Sequence, residues 1–372
     1  MISAAGLAAF LVVGCTSGGT GASVEAQQAL TLKVVSVSPG PGSTNVNGAG
    51  QITVTYNEPL PAGAELPKLT PAIAGSWRRS GDKAIFTPRS GFAAKTRVTV
   101  TLPATGAAGA TGTKVRTTGA AIAAFTTGSY STLRLQQLLA QLGYLPITWT
   151  PAVSAARNHK GKGGSAKQQL SARQQLSAAY DPPAGTFTWD AGYPSNLSSF
   201  WTQGEANTLT AGAISGFEGD HGMTVDGKVS PAIWSDLLKA ATARKANTDG
   251  YSYALVSQGT DPETLTIWHN GKKALYTVAN TGIADAPTPV GTFPVYEKLP
   301  FQIMSGTNPN GSTYADPVQW VSYFSGGAAV HFFDRYTYGW EQSLGCVELP
   351  YNAAEQAYNL LPYGTLVTVL PE

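Results

Sequence analysis

The spacing of apolar positions along this chain changes twice. From residue 30 onward, short runs alternate apolar with polar side chains: "LKVVSV", "QITVTY", "KAIFTP", "RVTVTL" and "AAFTTG", with Pro, Gly and Asn between them. A period of two marks strands with one buried face, and many short strands separated by turns predict an all-β sandwich over residues 30–128. The period then lengthens. In "STLRLQQLLAQLGYLP", Leu135, Leu138, Leu139 and Leu142 stand at i, i+3, i+4 and i+7, one face of a helix. Ser131 is placed to cap its start and Gly143 to stop it. Ala213, Ile214 and Phe217 repeat the helical spacing. After the turn "VDGKVS", Ser230-Pro231 opens a further helix that would bury Ile233, Trp234, Leu237 and Leu238. These helices define a small α-helical unit over 129–245, interrupted by an insertion over 146–205. Within that insertion, "RNHKGKGGSAKQQLSARQQLSAAY" is basic, rich in Gln and Ser, and reads as flexible. The aromatic stretch "GTFTWDAGYPSNLSSFWTQG" has no assignable period. Beyond residue 246 alternation returns and predicts a mainly-β domain. In "LTIWHNGKKALYTV", Asn270-Gly271 supplies the two positive-φ positions of a type I′ hairpin, with His269 in solvent at its tip. Trp320 and Phe324 are expected in the core. The chain closes as a helix ("NAAEQAYNLL"), a turn ("PYG") and a strand ("TLVTVL").

Residues 1–29 differ from all of this. Residues 2–14 form one apolar run, too short to span a bilayer but suited to the core of a secretory signal. "VVGC" resembles a bacterial lipobox, in which Cys15 would carry lipid and hold the protein to the membrane by acyl chains. Against this, no Lys or Arg precedes Lys33, and a plain export signal with an incidental cysteine is the other reading. Both place the protein on the extracytoplasmic face of the membrane or in the cell wall.

Composition narrows the function classes. Charged residues make up 12% of 372, and the net charge is +2. There is no basic stripe interleaved with aromatics, so nucleic acid is not an expected partner. His159 and His221 have no ligand neighbours at zinc spacing, so no metal is expected. Two cysteines are present, Cys15 and Cys346. If the first carries lipid, the second has no disulfide partner, and an odd thiol in an exported protein is a candidate for reactivity.

That thiol lies in "SLGCVELP", residues 343–350. A cysteine nucleophile needs a base close by and backbone N–H groups aimed at the developing oxyanion. The nearest histidine in sequence is His331, which ends the apolar run "GGAAV". A strand end, a loop and a return would bring the two together. Gly345 lets the backbone approach a substrate, and the amides of Gly345 and Cys346 could form the oxyanion hole. Spacing alone leaves open an inert buried thiol. Tyr336, Tyr338 and Trp340 lie between the two residues and would either wall a substrate groove or pack under a loop.

The surroundings go further. "PTPVGTFPVYEK", "GGAAVH" and S-x-G-C-V-x-L resemble, in that order, the YkuD-type L,D-transpeptidase catalytic domain over residues 250–372. "VSVSPGPGSTNV…ITVTYNEPL" resembles bacterial Ig-like domains of surface proteins. Met223, Val225, Asp226, Gly227, Pro231 and Trp234 match the pattern of a three-helix peptidoglycan-binding domain. The resemblance implies four segments: signal and linker (1–29), Ig-like sandwich (30–128), helical peptidoglycan-binding-like unit (129–245) and catalytic domain (246–372). It makes Cys346 the nucleophile and His331 the general base. Ser343 and Gly345 frame the cysteine loop, and the backbone of Leu344, Gly345 and Cys346 serves the oxyanion. Ser343, Tyr338, Trp340 and Glu348 would meet the substrate. The implied reaction is attack on a peptidoglycan stem peptide between its third residue and D-Ala, through a thioacyl-enzyme, to give 3→3 cross-links. No metal or organic cofactor is implied, and the chain is expected to act as a monomer. Three positions depart from the family pattern. Leu344 replaces the usual His of S-H-G-C. Phe332 follows His331, so a backbone carbonyl must fix the imidazole tautomer. Glu348 stands where Arg or Asn is common, and would either meet a substrate ammonium or go with a different placement of the stem. These departures keep two other functions in view: a catalytically degenerate peptidoglycan-binding lipoprotein, and a cysteine hydrolase that shortens stem peptides as an L,D-carboxypeptidase.

Overall fold

Alternation in the N-terminal third does build two facing sheets. The structure, a computed structural model, describes residues 30–89, 91–103, 105–106, 115–118, 122–152 and 170–371. Its first strands are β1 (Leu30–Ser38), β2 (Ile52–Tyr56), β3 (Lys68–Thr70), β4 (Gly75–Ser80), β5 (Lys83–Pro88), β6 (Arg97–Thr101), β7 (Thr105–Gly106), β8 (Val115–Thr118) and β9 (Ile122–Thr126). One sheet has the order β4-β5-β2-β1-β8-β7 and the other β3-β6-β9. Ile52, Val54 and Tyr56 alternate inward from β2 and meet Val98 and Val100 of β6 and Phe125 of β9 in one core. The period-two pattern is thus the sandwich's inner surface. Cys15, and with it the lipid-anchor expectation, lies outside the described residues.

Helix α1 (Thr132–Gln141) buries the face read from its leucines: Leu135, Leu138 and Leu139, with Leu142 just beyond, are all closed to solvent. Ser131 takes the N-cap position without a side-chain hydrogen bond. Strand β10 (Ile147–Pro151), helix α2 (Ala172–Tyr180) and strand β11 (Gly185–Trp189) all lie in the insertion. Helix α2 corrects the expectation of flexibility for the Gln/Ser-rich segment from residue 171 on. Ser171 and Gln174 cap each other's backbone in a capping box, which pays no heed to the polar composition around it. His159, in the same segment, lies outside the described residues. Strand β11 pairs antiparallel with β10, from Ile147 opposite Trp189 to Pro151 opposite Gly185. Phe187 and Trp189 then stack edge-on against Trp201, at 5.1 and 6.1 Å between ring centres. Helix α2 also seats the sandwich: Asn47 Nδ2 donates to Ser177 Oγ at 3.2 Å, and Tyr180 donates its hydroxyl to Phe92 O at 3.1 Å. Helices α3 (Thr208–Asp220) and α4 (Pro231–Ala243) complete the unit, the latter capped by Ser230 Oγ, which accepts from Ile233 N.

The C-terminal part has two sheets around α5 (Tyr351–Leu360). The first consists of β12 (Ser252–Ser257), β13 (Thr264–His269), β14 (Lys272–Val278), β15 (Gly291–Pro294) and β20 (Leu366–Val369), in the order β14-β13-β12-β20-β15. Asn270 and Gly271 both take positive φ at the β13–β14 turn, as a type I′ hairpin requires. The second sheet runs in chain order: β16 (Glu297–Thr307), β17 (Thr313–Ser325), β18 (Ala328–Phe332) and β19 (Val347–Leu349). Phe324, Val330, Val347 and Leu349 join Ala354, Ala357 and Leu361 in the core between them. Phe324 is buried as expected. Trp320, at positive φ in an irregular stretch of β17, packs only partly against that core.

One core spans the middle and C-terminal segments. Tyr253 of β12 and Leu366 of β20 are buried with Leu138, Leu209, Phe217 and Leu237 of the helices. The helical unit therefore covers one face of the β14-β13-β12-β20-β15 sheet. Among the described residues, no helix is long and apolar enough to cross a membrane.

Candidate active site

Strands β18 and β19 pair in parallel, with Val330 opposite Val347, His331 opposite Glu348 and Phe332 opposite Leu349. Side chains alternate across a sheet. Val330, Val347 and Leu349 go to the core under α5, which sends Ala329, His331 and Glu348 to the other face. Cys346 immediately precedes β19 and packs in the cluster of Ala329, Val321 and Tyr323. His331 and Cys346 are thereby diagonal neighbours on one sheet face.

The two groups rest neutral. His331 is 3% exposed, and its Nδ1 lies 2.9 Å from Phe332 O. A carbonyl only accepts, so Nδ1 carries the proton and Nε2 keeps its lone pair. The backbone carbonyl that the sequence required is that of Phe332 itself. Burial pulls the imidazole's pKa below its usual value, against the opposing pull of the Phe332 carbonyl and of Glu348. Cys346 is a free, half-buried thiol whose sulfur contacts Gly327 O at 3.8 Å. Loss of solvent pushes its pKa up to about 11, despite the Ala329 amide beside it, and Glu348 adds to the rise. Both shifts disfavour a thiolate–imidazolium pair.

The cysteine loop is held from beneath. Ser343 is closed to solvent; its hydroxyl donates to Cys346 O at 2.6 Å and accepts from Gly345 N at 3.2 Å. Ser343 N donates to Thr281 O, and Ile283 N donates to Ser343 O. Gly282 N in turn donates to Thr288 Oγ1 at 2.8 Å, which gives the first threonine of "PTPVGTF" its structural use. Gly345 has φ +106°, a conformation that any side chain would strain. A Cβ there would stand 3.4 Å from Pro287 O, an ordinary contact, so conformation and not space demands the glycine.

The remaining expected site residues divide. Leu344 is 38% exposed at the crest of the loop, and Trp340 is 56% exposed. Tyr338 donates its hydroxyl to Phe333 O at 2.6 Å, inside its own connection. Ser343 and Glu348 face inward. Glu348, 4% exposed, accepts from Arg335 Nε at 2.8 Å and Arg335 Nη2 at 2.7 Å, and from Asn280 Nδ2 at 3.2 Å. Its carboxylate is engaged by the protein instead of open to a substrate ammonium. Sequence reasoning missed Arg335, although a signal existed: it is the sole Lys or Arg between His331 and Cys346. Tyr323, which donates to Gln302 Oε1 at 2.7 Å beside the thiol, had no such signal. Among the described residues no group of three or more His, Cys, Asp and Glu side chains is placed to hold a metal.

Comparison with known proteins follows the same division. Residues 252–369 match the model of the L,D-transpeptidase catalytic domain, YkuD, and residues 28–127 that of a bacterial Ig-like domain. No curated protein matches the chain. Among solved structures, the catalytic domain of an E. faecium L,D-transpeptidase is 28% identical, over 32% of this chain and 95% of its own, with a TM-score of 0.29. An L,D-transpeptidase from Mycobacterium smegmatis is 15% identical over 91% of this chain and 99% of its own, with a TM-score of 0.30. L,D-transpeptidase 3 from Mycobacterium tuberculosis is 16% identical over the same shares, also at 0.30. The C-terminal part of this chain, residues 252–369, thus belongs to the L,D-transpeptidase catalytic-domain family, and its N-terminal part, residues 28–127, to the bacterial Ig-like domains.

Proposed function

We propose that this chain is a cell-wall L,D-transpeptidase that uses Cys346 and His331 to form 3→3 cross-links between peptidoglycan stem peptides. The observation that carries the reading is the β18–β19 register: it sets His331, with a bare Nε2, and Cys346 on one sheet face. His331 Nε2 takes the thiol proton as sulfur attacks the carbonyl carbon of the donor stem's third residue. The resulting oxyanion meets the amides of Cys346 and Leu344, since Gly345 N–H is already given to Ser343 Oγ. The bond to D-Ala then breaks, and the proton held by His331 passes to the departing amine. A thioacyl-enzyme remains. The side-chain amine of a second stem attacks it, gives a proton to His331 and leaves the new amide, while the thiol regains its hydrogen. Water in place of the amine gives a shortened stem peptide. Export, with lipid on Cys15, would bring the site to its polymer. Substrate contacts fall to the exposed Trp340 and Leu344, with Tyr338 behind them.

The test is intact-protein mass spectrometry with a carbapenem, a β-lactam class this family is expected to accept. One drug mass on the wild type and none on Cys346→Ala is the expected result. A thiol that alkylates normally yet takes up no carbapenem would sink the assignment and leave the non-catalytic reading. Muropeptide analysis then separates 3→3 dimers from shortened tripeptides.

A further inference from the structure

Between His331 and Cys346 the chain leaves the sheet and returns, and the quality of the dyad depends on that connection. Ser343 and Gln342 N hold it to Thr281 and Ile283, Gly339 O holds it to Glu263 N, and three further ties run to Glu348. Arg335 Nη2 donates to Gln342 O at 3.0 Å as well as to Glu348, so one guanidinium joins the start of the connection, its end and strand β19. Gly339 N, at its middle, donates to Asn280 Oδ1 at 3.0 Å, and the same Asn280 side chain donates to Glu348. Asn280 and Glu348 also exchange both backbone hydrogen bonds, at 2.9 and 3.0 Å. All three ties converge on Glu348, the register partner of His331 and two residues from Cys346.

An ion pair with one charge buried and the other half-buried is a poor source of stability, because desolvating the carboxylate offsets much of the attraction. Its two-pronged geometry, in contrast, specifies position well. Resting on the transpeptidase reading above, we propose that Arg335 and Glu348 form a positioning clamp that fixes the 333–345 connection and so aligns Cys346 with His331. The clamp also accounts for the departure at residue 348. Where the family carries Arg or Asn, this chain carries the carboxylate, and the cation comes from the connection. Neither residue touches the reacting atoms; both act through the loop.

The experiment uses the whole chain with two conservative variants, Glu348→Gln and Arg335→Lys, and the charge-swapped double variant Glu348→Arg/Arg335→Glu. Three quantities are read: carbapenem acylation rate, iodoacetamide alkylation of Cys346, and hydrogen exchange across 333–345. A displacement of about 1 Å in a reacting pair costs on the order of 100-fold. Each conservative variant is expected to lose about that much acylation. Alkylation should stay near the wild-type rate in Arg335→Lys and rise in Glu348→Gln, which loses the carboxylate that helps hold the thiol's pKa up, and exchange in the connection should speed up in both. The swapped pair, if folded, should recover most of the loss. Wild-type acylation with unchanged exchange in both conservative variants overturns the clamp, as does a folded swapped variant that recovers neither. An equal fall in acylation and alkylation would mean general loosening and overturns it too. If the wild type itself is not acylated, the transpeptidase reading fails, and exchange alone decides whether the clamp exists.

Discussion

The neutral dyad makes a quantitative prediction about the thiol. An ordinary cysteine with a pKa of about 8.5 is roughly one-quarter thiolate at pH 8. Cys346, pushed up to about 11, would hold on the order of 0.1%. That is a deficit of about 240-fold in thiolate. A higher pKa also makes each thiolate more nucleophilic, by about half a log unit per pKa unit, which returns roughly tenfold. Alkylation by iodoacetamide at pH 8 should thus run about 20-fold slower than for a free cysteine. It should keep rising, tenfold per pH unit, up to about pH 10. Carbapenem acylation should behave differently, because His331 removes the proton during attack. Its rate should rise only through the lowered pKa of the imidazole and then level off. Both profiles come from stopped incubations read by intact mass between pH 5 and 10. An alkylation plateau at pH 5–6 would show a preformed thiolate–imidazolium pair and refute the argument from burial.

Other expectations follow from the same geometry. His331→Ala should slow carbapenem acylation by about 10²–10⁴-fold, the usual worth of a positioned base, while alkylation at pH 10 stays near wild type. Ser343→Ala leaves Gly345 N–H and Cys346 O without their partner; each orphan costs about 1–3 kcal/mol, so both the thermal midpoint and the acylation rate should fall. The raised pKa of Cys346 contributes stability below its unfolded value that is lost as pH rises through about 11, and the lowered pKa of His331 contributes stability above its unfolded value that is lost as pH falls through the folded one. Melting should accordingly be most resistant between about pH 6.5 and 8.5; a midpoint that climbs steadily towards pH 5 would contradict this. A fragment beginning at Ser252 would bare Tyr253 and Leu366, and is expected to bind a hydrophobic dye and aggregate, unlike a chain beginning at Tyr130.

Much of this protein is determined by its sequence alone, wherever the physics is local. Leucines four and three apart define the buried face of α1, Asn270-Gly271 sets a hairpin, and Ser230-Pro231 starts α4, because periodicity and turn chemistry act within a few residues. Ser171 and Gln174 carried an equally local signal, obscured by the polar composition of the insertion. The chemistry of Cys346 and His331 was legible for a different reason: few residue types can do it, and the chain has few of them. Tertiary structure alone decided the rest. That Ser343 is held by Thr281 and Ile283, that Glu348 answers to Asn280, and that the helices share a core with Tyr253 are all matters of partnership between segments far apart in the chain. No period or motif encodes such a partner. It is chosen when chain reversal brings donors, acceptors and apolar surface together, and burial then penalises each group left unmatched.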